Sequence, residues 1–241
     1  MKVTGSFAMK TLTSVTKDLK MTSRACLTGL LLTFSALPAA MAGSITDAGS
    51  KHDFSASGFT GGEICIACHT PHNADATVSD APLWNHTLST ATYSLYDSPT
   101  MDATDNNVQP TGTSKLCLSC HDGTVALDNS ATGITMTGVA AVGNDGLSND
   151  HPISFTYDDT LALADGALHN PATTQVTIGS GTDIKTGTIN DVMLIGGQIQ
   201  CATCHDVHNK FTVATVAPAT SNKLLRVSNA GSGLCLTCHN K

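Results

Sequence analysis

The chain has 241 residues and a formal net charge of −7, with 12 Lys and Arg against 19 Asp and Glu. Five of the basic residues fall within the first 24 positions, so the remainder is more acidic still, which argues against nucleic acid as a partner. Only 4% of the residues are aromatic, and small polar residues dominate 124–150 and 171–191. Side chains alone would build a thin core, so another source of apolar surface is expected.

The N-terminal segment has the order of a secretory signal peptide. Scattered basic residues up to Arg24 precede an apolar run, 25–40, and the small-residue tripeptide Ala40-Met41-Ala42 follows. This run of about sixteen residues is shorter than the roughly 20 of a membrane-spanning helix. We expect residues 1–42 to be a signal peptide that is removed, so that the mature chain is exported with eight of the nine cysteines.

The eight remaining cysteines form four copies of the pattern Cys-x-x-Cys-His. This pattern is the attachment signature of c-type haem, because two thiols at this spacing add to two vinyl groups on one edge of the porphyrin and the next histidine then lies beneath the iron. The sequence therefore predicts four covalent haems. The attachment cysteines are Cys65, Cys68, Cys117, Cys120, Cys201, Cys204, Cys235 and Cys238. The proximal iron ligands are His69, His121, His205 and His239.

Two other uses of paired cysteines fit the pattern less well. A framework of disulfides has no reason to place a histidine after every second cysteine. Zinc bound by four thiolates would leave all four histidines idle, and a site of two thiolates and two imidazoles needs separate C-x2-C and H-x3-5-H halves.

The four motifs alternate between two types. "ICIACHTPHNA" (64–74) resembles "IQCATCHDVHN" (199–209), while "SKLCLSCHDG" (114–123) resembles "SGLCLTCHNK" (232–241). The alternation indicates a duplicated two-haem module. We expect a first module at 43–123, a connector at 124–200 and a second module at 201–241. Within the connector, "TTQVTIGSGTDIKTGTI" predicts a hairpin around Gly179-Ser180-Gly181.

Motifs of the first type carry a second histidine, His72 or His208, three residues after the first. The first histidine occupies one face of its iron, and a residue three positions later keeps the backbone on that same side of the ring. We therefore expect His208 to reach a different haem, whose ring then lies nearly against the first. The same argument holds for His72, although Pro71 ends any helix there.

Histidines outside the attachment motifs number six, and four irons need at most four of them. His72 and His208 are the strongest candidates for the open iron faces. The others are His151 in "NDHPISF", His52 in "SKHDFS", His86 in "PLWNHT" and His169 in "ALHNP". Met101, Met136 and Met193 could be axial ligands instead, but the supply of histidines suffices without them. Trp84, two residues before His86 in the chain, is expected to pack on a porphyrin.

Several segments together carry a family resemblance: "KHDFS", "CIACHTPHNA", "PLWNH", "SKLCLSCHDGTVA", "HPISF", "CATCHDVHN" and "LCLTCHNK". Over most of 50–241 the chain resembles the doubled-CxxCH tetrahaem cytochromes of metal-reducing bacteria, in particular the outer-surface cytochromes that polymerise into conducting filaments. The resemblance implies a multihaem cytochrome c fold, mostly irregular coil with short helices at the haem motifs and a few short β-strands, wrapped round a chain of haems. It implies the distal set His52, His72, His151 and His208, with His86 possible, and one ligand that crosses between subunits.

The expected function is electron transfer by four closely spaced bis-histidine haems, without enzymatic turnover. We expect an exported subunit of an extracellular filament that associates head-to-tail and exchanges electrons with other multihaem cytochromes or extracellular acceptors. A soluble periplasmic tetrahaem shuttle is the first alternative. The second alternative is a multihaem reductase, in which one iron has no distal protein ligand. Such a site needs cationic residues around the iron, and this chain has few basic residues.

Overall fold

Irregular chain makes up most of the protein. The computed structural model describes residues 44–46, 50–76, 78, 81–106, 108–127, 146–213 and 223–241, which all belong to one unit, 38–241. The signal peptide predicted at 1–42 lies outside the described residues. Within the described ranges, no helix has both the length and the apolar composition needed to cross a membrane.

The helices are short, and most of them coincide with the Cys-x-x-Cys-His motifs. A 3-10 turn covers the first motif at Ile64–Ala67, and a second one, Ala230–Ser232, precedes the last motif. In chain order the α-helices are α1 Gly112–His121, α2 Asp159–Asp165, α3 Ile189–Val192, α4 Cys201–Cys204 and α5 Gly233–Leu236. Thus α1, α4 and α5 each begin within or just before a motif.

Local capping sets the limits of the two helices in the connector. The Asp158 side chain accepts a hydrogen bond from the backbone of Leu161 and starts α2, which ends at Gly166 in the left-handed region. Thr188 starts α3 in the same way by accepting from the backbone of Asp191. These caps satisfy backbone donors that a helix of one or two turns would otherwise leave unpaired.

Two small antiparallel pairs supply the strands. β1 (Phe155–Thr156) pairs with β4 (Gln198–Ile199), and β2 (Gln175–Ser180) pairs with β3 (Asp183–Thr188). The second pair is a hairpin at the place that the alternating sequence predicts. Gly179 has φ +85°, and a Cβ there would lie 2.1 Å from the carbonyl oxygen of Asp183, so only glycine fits.

Two apolar clusters hold the described chain together. The larger is formed almost entirely by the connector: Ala103, Phe155, Tyr157, Ala162, Ile178, Ile189, Val192, Met193, Leu194 and Ile199. The smaller lies beside the first two motifs and consists of Ala81, Trp84 and Leu116. The connector therefore acts as the platform against which the second module packs.

Candidate functional site

The second and third motifs are joined by buried hydrogen bonds between α1 and α4. The Ser114 backbone amide donates to Oε1 of Gln200 at 3.0 Å, and the Cys201 amide donates to Oγ of Ser114 at 3.0 Å. Ser114 is fully buried and Gln200 is 2% exposed. The two helices therefore approach through defined polar contacts, which fix the position of one motif relative to the other.

The eight motif cysteines are free thiols, and cysteines of neighbouring motifs influence one another. Burial and then the charge of Cys68 raise the pKa of Cys120 to about 12, which places motifs one and two side by side. Between motifs two and three, the Cys117 thiol donates to the sulfur of Cys201, which raises the pKa of Cys117 and lowers that of Cys201.

The third and fourth motifs are neighbours as well. Burial, followed by the charges of Cys204 and Cys235, raises the pKa of Cys238 to about 12. Consecutive motifs are thus adjacent in space.

Three of the four motif histidines face a second histidine ring. The ring centroids lie 6.0 Å apart for His121 and His52, 6.4 Å for His69 and His208, and 6.5 Å for His239 and His151. His52, His151 and His208 are histidines that the sequence puts in the distal set. Each pair joins residues from separate parts of the chain, which only the tertiary fold brings together.

These separations fit a metal between the two rings. With a metal–nitrogen bond of about 2 Å and about 1.2 Å from that nitrogen to the ring centre, imidazoles on opposite sides of one metal have centroids about 6.4 Å apart. An iron in a porphyrin takes its remaining one or two ligands from the protein. In the described ranges, no three His, Cys, Asp or Glu side chains converge as in a four-ligand zinc site.

Backbone carbonyls orient three of the histidines. Nδ1 of His69 donates to the carbonyl of Pro82 at 2.7 Å, Nδ1 of His205 to that of Lys223 at 2.7 Å, and Nδ1 of His151 to that of Pro152 at 2.8 Å. Because Nδ1 then carries the proton, Nε2 has the free lone pair of a metal ligand. A histidine that binds a metal through one ring nitrogen commonly donates a hydrogen bond from the other to a backbone carbonyl, which fixes the orientation of the ring.

His52 is largely buried among the motif histidines. Burial, followed by the charges of His121, His205 and His208, lowers the pKa of His52 to about 4. Its Nδ1 is buried without a hydrogen-bond partner in the described part of the chain. A neutral imidazole in this position is suited to a metal, since a ligand must be unprotonated.

His205 and His72 have no paired ring among the described residues. Nδ1 of His205 donates to the backbone carbonyl of Lys223. Among the described residues, no second histidine ring faces His205 as one does in the other three motifs. His72 is exposed, and its backbone is held in a turn by Thr70, whose hydroxyl donates to the His72 carbonyl at 2.8 Å. One motif histidine and one candidate distal ligand are therefore left over on the surface.

His86 and His169 contact the first and the fourth motif, respectively, without forming a ring pair with a motif histidine. His86 is 3% exposed, and its Nε2 hydrogen-bonds the carbonyl of Ala67 behind the first motif, while its Nδ1 is buried without a described partner. His169 lies close to His239 and donates its backbone amide to the carbonyl of Cys238 at 2.8 Å. Neither ring faces a motif histidine in the way of the three pairs.

Two of the methionines that the sequence left open as ligands have other roles in the described chain. Met193 is buried in the larger cluster, and the sulfur of Met101 accepts a hydrogen bond from Asn106. Met136 lies outside the described residues. Trp84 packs edge-on to His69, with ring centroids 6.3 Å apart.

Apolar surface is exposed at the motifs. Ile66, Leu83, Val207 and Leu236 are all at least 36% exposed, and each lies within a motif or close to one. A flat apolar ring bound at each motif would cover such surface. This agrees with the thin side-chain core expected from the composition.

Sequence reasoning missed the contacts that connect the motifs. Nothing in the spacing pairs His52 with His121, because His52 precedes the first motif and contacts the second. The sequence did not predict the hydrogen bonds of Ser114 and Gln200 either. The one feature of the sequence that points to these two polar residues is their position just before a motif.

The comparisons with known proteins add no relative. No family model matches the chain, and no curated protein matches it significantly.

Proposed function

We propose that this chain binds four c-type haems and transfers electrons along the row that they form. One observation carries the proposal: three of four motif histidines face a second histidine ring at 6.0–6.5 Å. The attachment cysteines beside them are free thiols, as thioether formation requires. The sequence motif and the ring pairs are independent, since the motif specifies only one histidine of each pair.

Haem supplies a one-electron couple, and the protein supplies spacing, ligation and burial. Neighbouring motif sulfurs bring consecutive attachment sites together, as for Cys117 and Cys201. Electron tunnelling falls steeply with the gap between ring edges, so this packing favours transfer along the row. The chain's role in this proposal needs no bound substrate, and an exported location follows from the signal peptide predicted in the sequence.

The test is expression with a cytochrome c maturation system. The purified protein should exceed its polypeptide mass by four haem masses, and the oxidised spectrum should be that of six-coordinate, low-spin iron. A Cys235→Ala/Cys238→Ala variant should lose one haem mass and keep three. Mature protein that carries zinc or disulfides in place of haem would disprove the proposal.

The proposal extends to assembly, through His72 and His205. Each molecule exposes one unpaired motif histidine and one unpaired distal candidate. If His72 of one copy ligates the third haem of the next, the contact is head-to-tail. A heterologous contact of this kind repeats without closing and produces a filament. In such a filament, His72 of each subunit would be the second axial ligand of the iron held by His205 in the next subunit.

The unpaired His205 also favours a second candidate function. An iron with one protein ligand binds exogenous molecules, so the third site could serve a multihaem reductase. Carbon monoxide distinguishes the two: rapid binding by one haem of the reduced, fully assembled protein would favour the reductase. Binding that appears only after dissociation into monomers would favour the crossing ligand.

A further inference from the structure

The three histidine pairs differ in the angle between their ring planes. The rings of His69 and His208 are nearly parallel at 11°, whereas those of His239 and His151 are crossed at 73°. The carbonyl of Pro82 orients His69 and that of Pro152 orients His151. In each pair, at least one of the two rings is therefore held at its angle by a hydrogen bond to a backbone carbonyl.

This angle affects a ferric iron between the rings. An imidazole donates π electrons through the orbital normal to its ring plane, into one of two iron d orbitals. Parallel rings both donate to the same d orbital, which separates the two levels and stabilises the ferric state. Crossed rings donate to different orbitals and leave the levels nearly equal, so the ferric state is less stabilised. Axial ligation is one of the main determinants of a haem's potential.

A charge beside the first pair acts in the same direction. The Asp206 carboxylate lies 3.9 Å from Nδ1 of His208; the Asp206 side chain is 15% exposed and the His208 side chain 67% exposed, so solvent weakens the effect. An anion beside the second ring nitrogen makes the ligand more basic and so favours ferric iron.

We propose that an iron held at the first motif has a lower potential than an iron held at the fourth, so that an electron that enters at the first site moves toward the fourth. The inference rests on the proposed function, because it concerns the irons held by these pairs. Two independent features carry it, the ring angle and the Asp206 carboxylate.

Electron paramagnetic resonance of the fully oxidised protein tests the ring angles. A parallel pair gives a rhombic low-spin signal, and a crossed pair gives a highly anisotropic one. His208→Ala should remove the rhombic signal and His151→Ala the anisotropic one; both side chains are exposed, so their loss should be tolerated. The opposite assignment, or the same signal type from both sites, would overturn the inference.

A reductive titration followed by the same signals tests the order of potentials. The anisotropic signal should disappear at higher potential than the rhombic one. Asp206→Asn should shift the rhombic midpoint upward and leave the anisotropic midpoint unchanged, while Asp206→Glu should restore it. The Asp206 carboxylate also accepts backbone hydrogen bonds from His208, Lys210 and Phe211. Asp105→Asn is the matched control, since the Asp105 carboxylate accepts from the backbone amide of Thr156.

If the rhombic signal disappears first, or if Asp206→Asn shifts nothing while Asp206→Glu is folded, the gradient is wrong. Haem mass and low-spin spectra would remain as expected in that case, so electron transfer by four haems would stand. Absence of haem would instead disprove the proposed function itself.

Discussion

The backbone amide of Cys201 donates to the hydroxyl of Ser114, 87 residues earlier in the chain, at 3.0 Å. The contact joins the third motif to the helix of the second, α1, and it is completed by the bond from Ser114 to Gln200. Because Ser114 is fully buried, water cannot replace the hydroxyl. The side chains of Ser114 and Gln200 thus set the approach of the second and third motifs.

Ser114→Ala should reduce stability by about 1 kcal/mol, because it leaves the partly buried amide of Cys201 without its acceptor. The measurement is unfolding of the haem-loaded protein in guanidinium chloride. Ser98→Ala is the control, since the Ser98 hydroxyl makes only a local contact in an exposed turn. Equal midpoints for the two variants would show that the contact does not join the motifs.

The sequence predicted what depends on local chemistry. Short helices at the Cys-x-x-Cys-His motifs and the hairpin at the alternating, glycine-containing segment are found where the sequence predicts them; the proximal role of the motif histidines stays a prediction. The sequence predicted that His208 contacts a site other than that of its own motif, but it did not predict that the ring of His208 faces that of His69. Pairings such as His52 with His121 depend on how irregular segments fold back, and neither periodicity nor spacing encodes that. The apolar cluster of the connector was also missed, because its members are scattered among small polar residues.

The hairpin offers a matched pair of isoleucines. Ile178 on β2 is fully buried in the larger cluster, while Ile184 on β3 is 55% exposed. Ile178→Ala should cost about 2–5 kcal/mol through lost burial and the cavity left behind. Ile184→Ala should change stability by less than about 0.5 kcal/mol. Similar losses in thermal or denaturant unfolding would mean that the hairpin does not pack on the cluster.

Tyr93 makes stability sensitive to alkaline pH. Burial, and next the bond it donates to Asp122 at 2.6 Å, raise its pKa from 10.0 to about 12. The unfolded chain therefore ionises Tyr93 first, and stability that is complete below pH 10 is lost as the pH rises toward 12. Tyr93→Phe should lose less stability than the wild type between about pH 9 and pH 11. Equal losses across that range would contradict this assignment.

His52 is expected to complete the second site. His52→Gln removes the ring that faces His121 at 6.0 Å, so one haem of the four should become high-spin in the ferric state and bind carbon monoxide when reduced. His169→Gln is the matched control, because the ring of His169 faces no motif histidine among the described residues. Four low-spin haems in His52→Gln would exclude His52 as a ligand.

His72 is expected to ligate the third haem of a neighbouring molecule. It is exposed, its own haem cannot use it, and His205 has no paired ring in the described chain. His72→Ala should abolish filaments in negative-stain micrographs and convert one haem to high-spin in every molecule. His72→Gln should behave alike, since neither residue ligates iron, whereas His169→Ala should still assemble. If His72→Ala forms filaments of unchanged length with all four haems low-spin, His72 is not the ligand that joins the subunits.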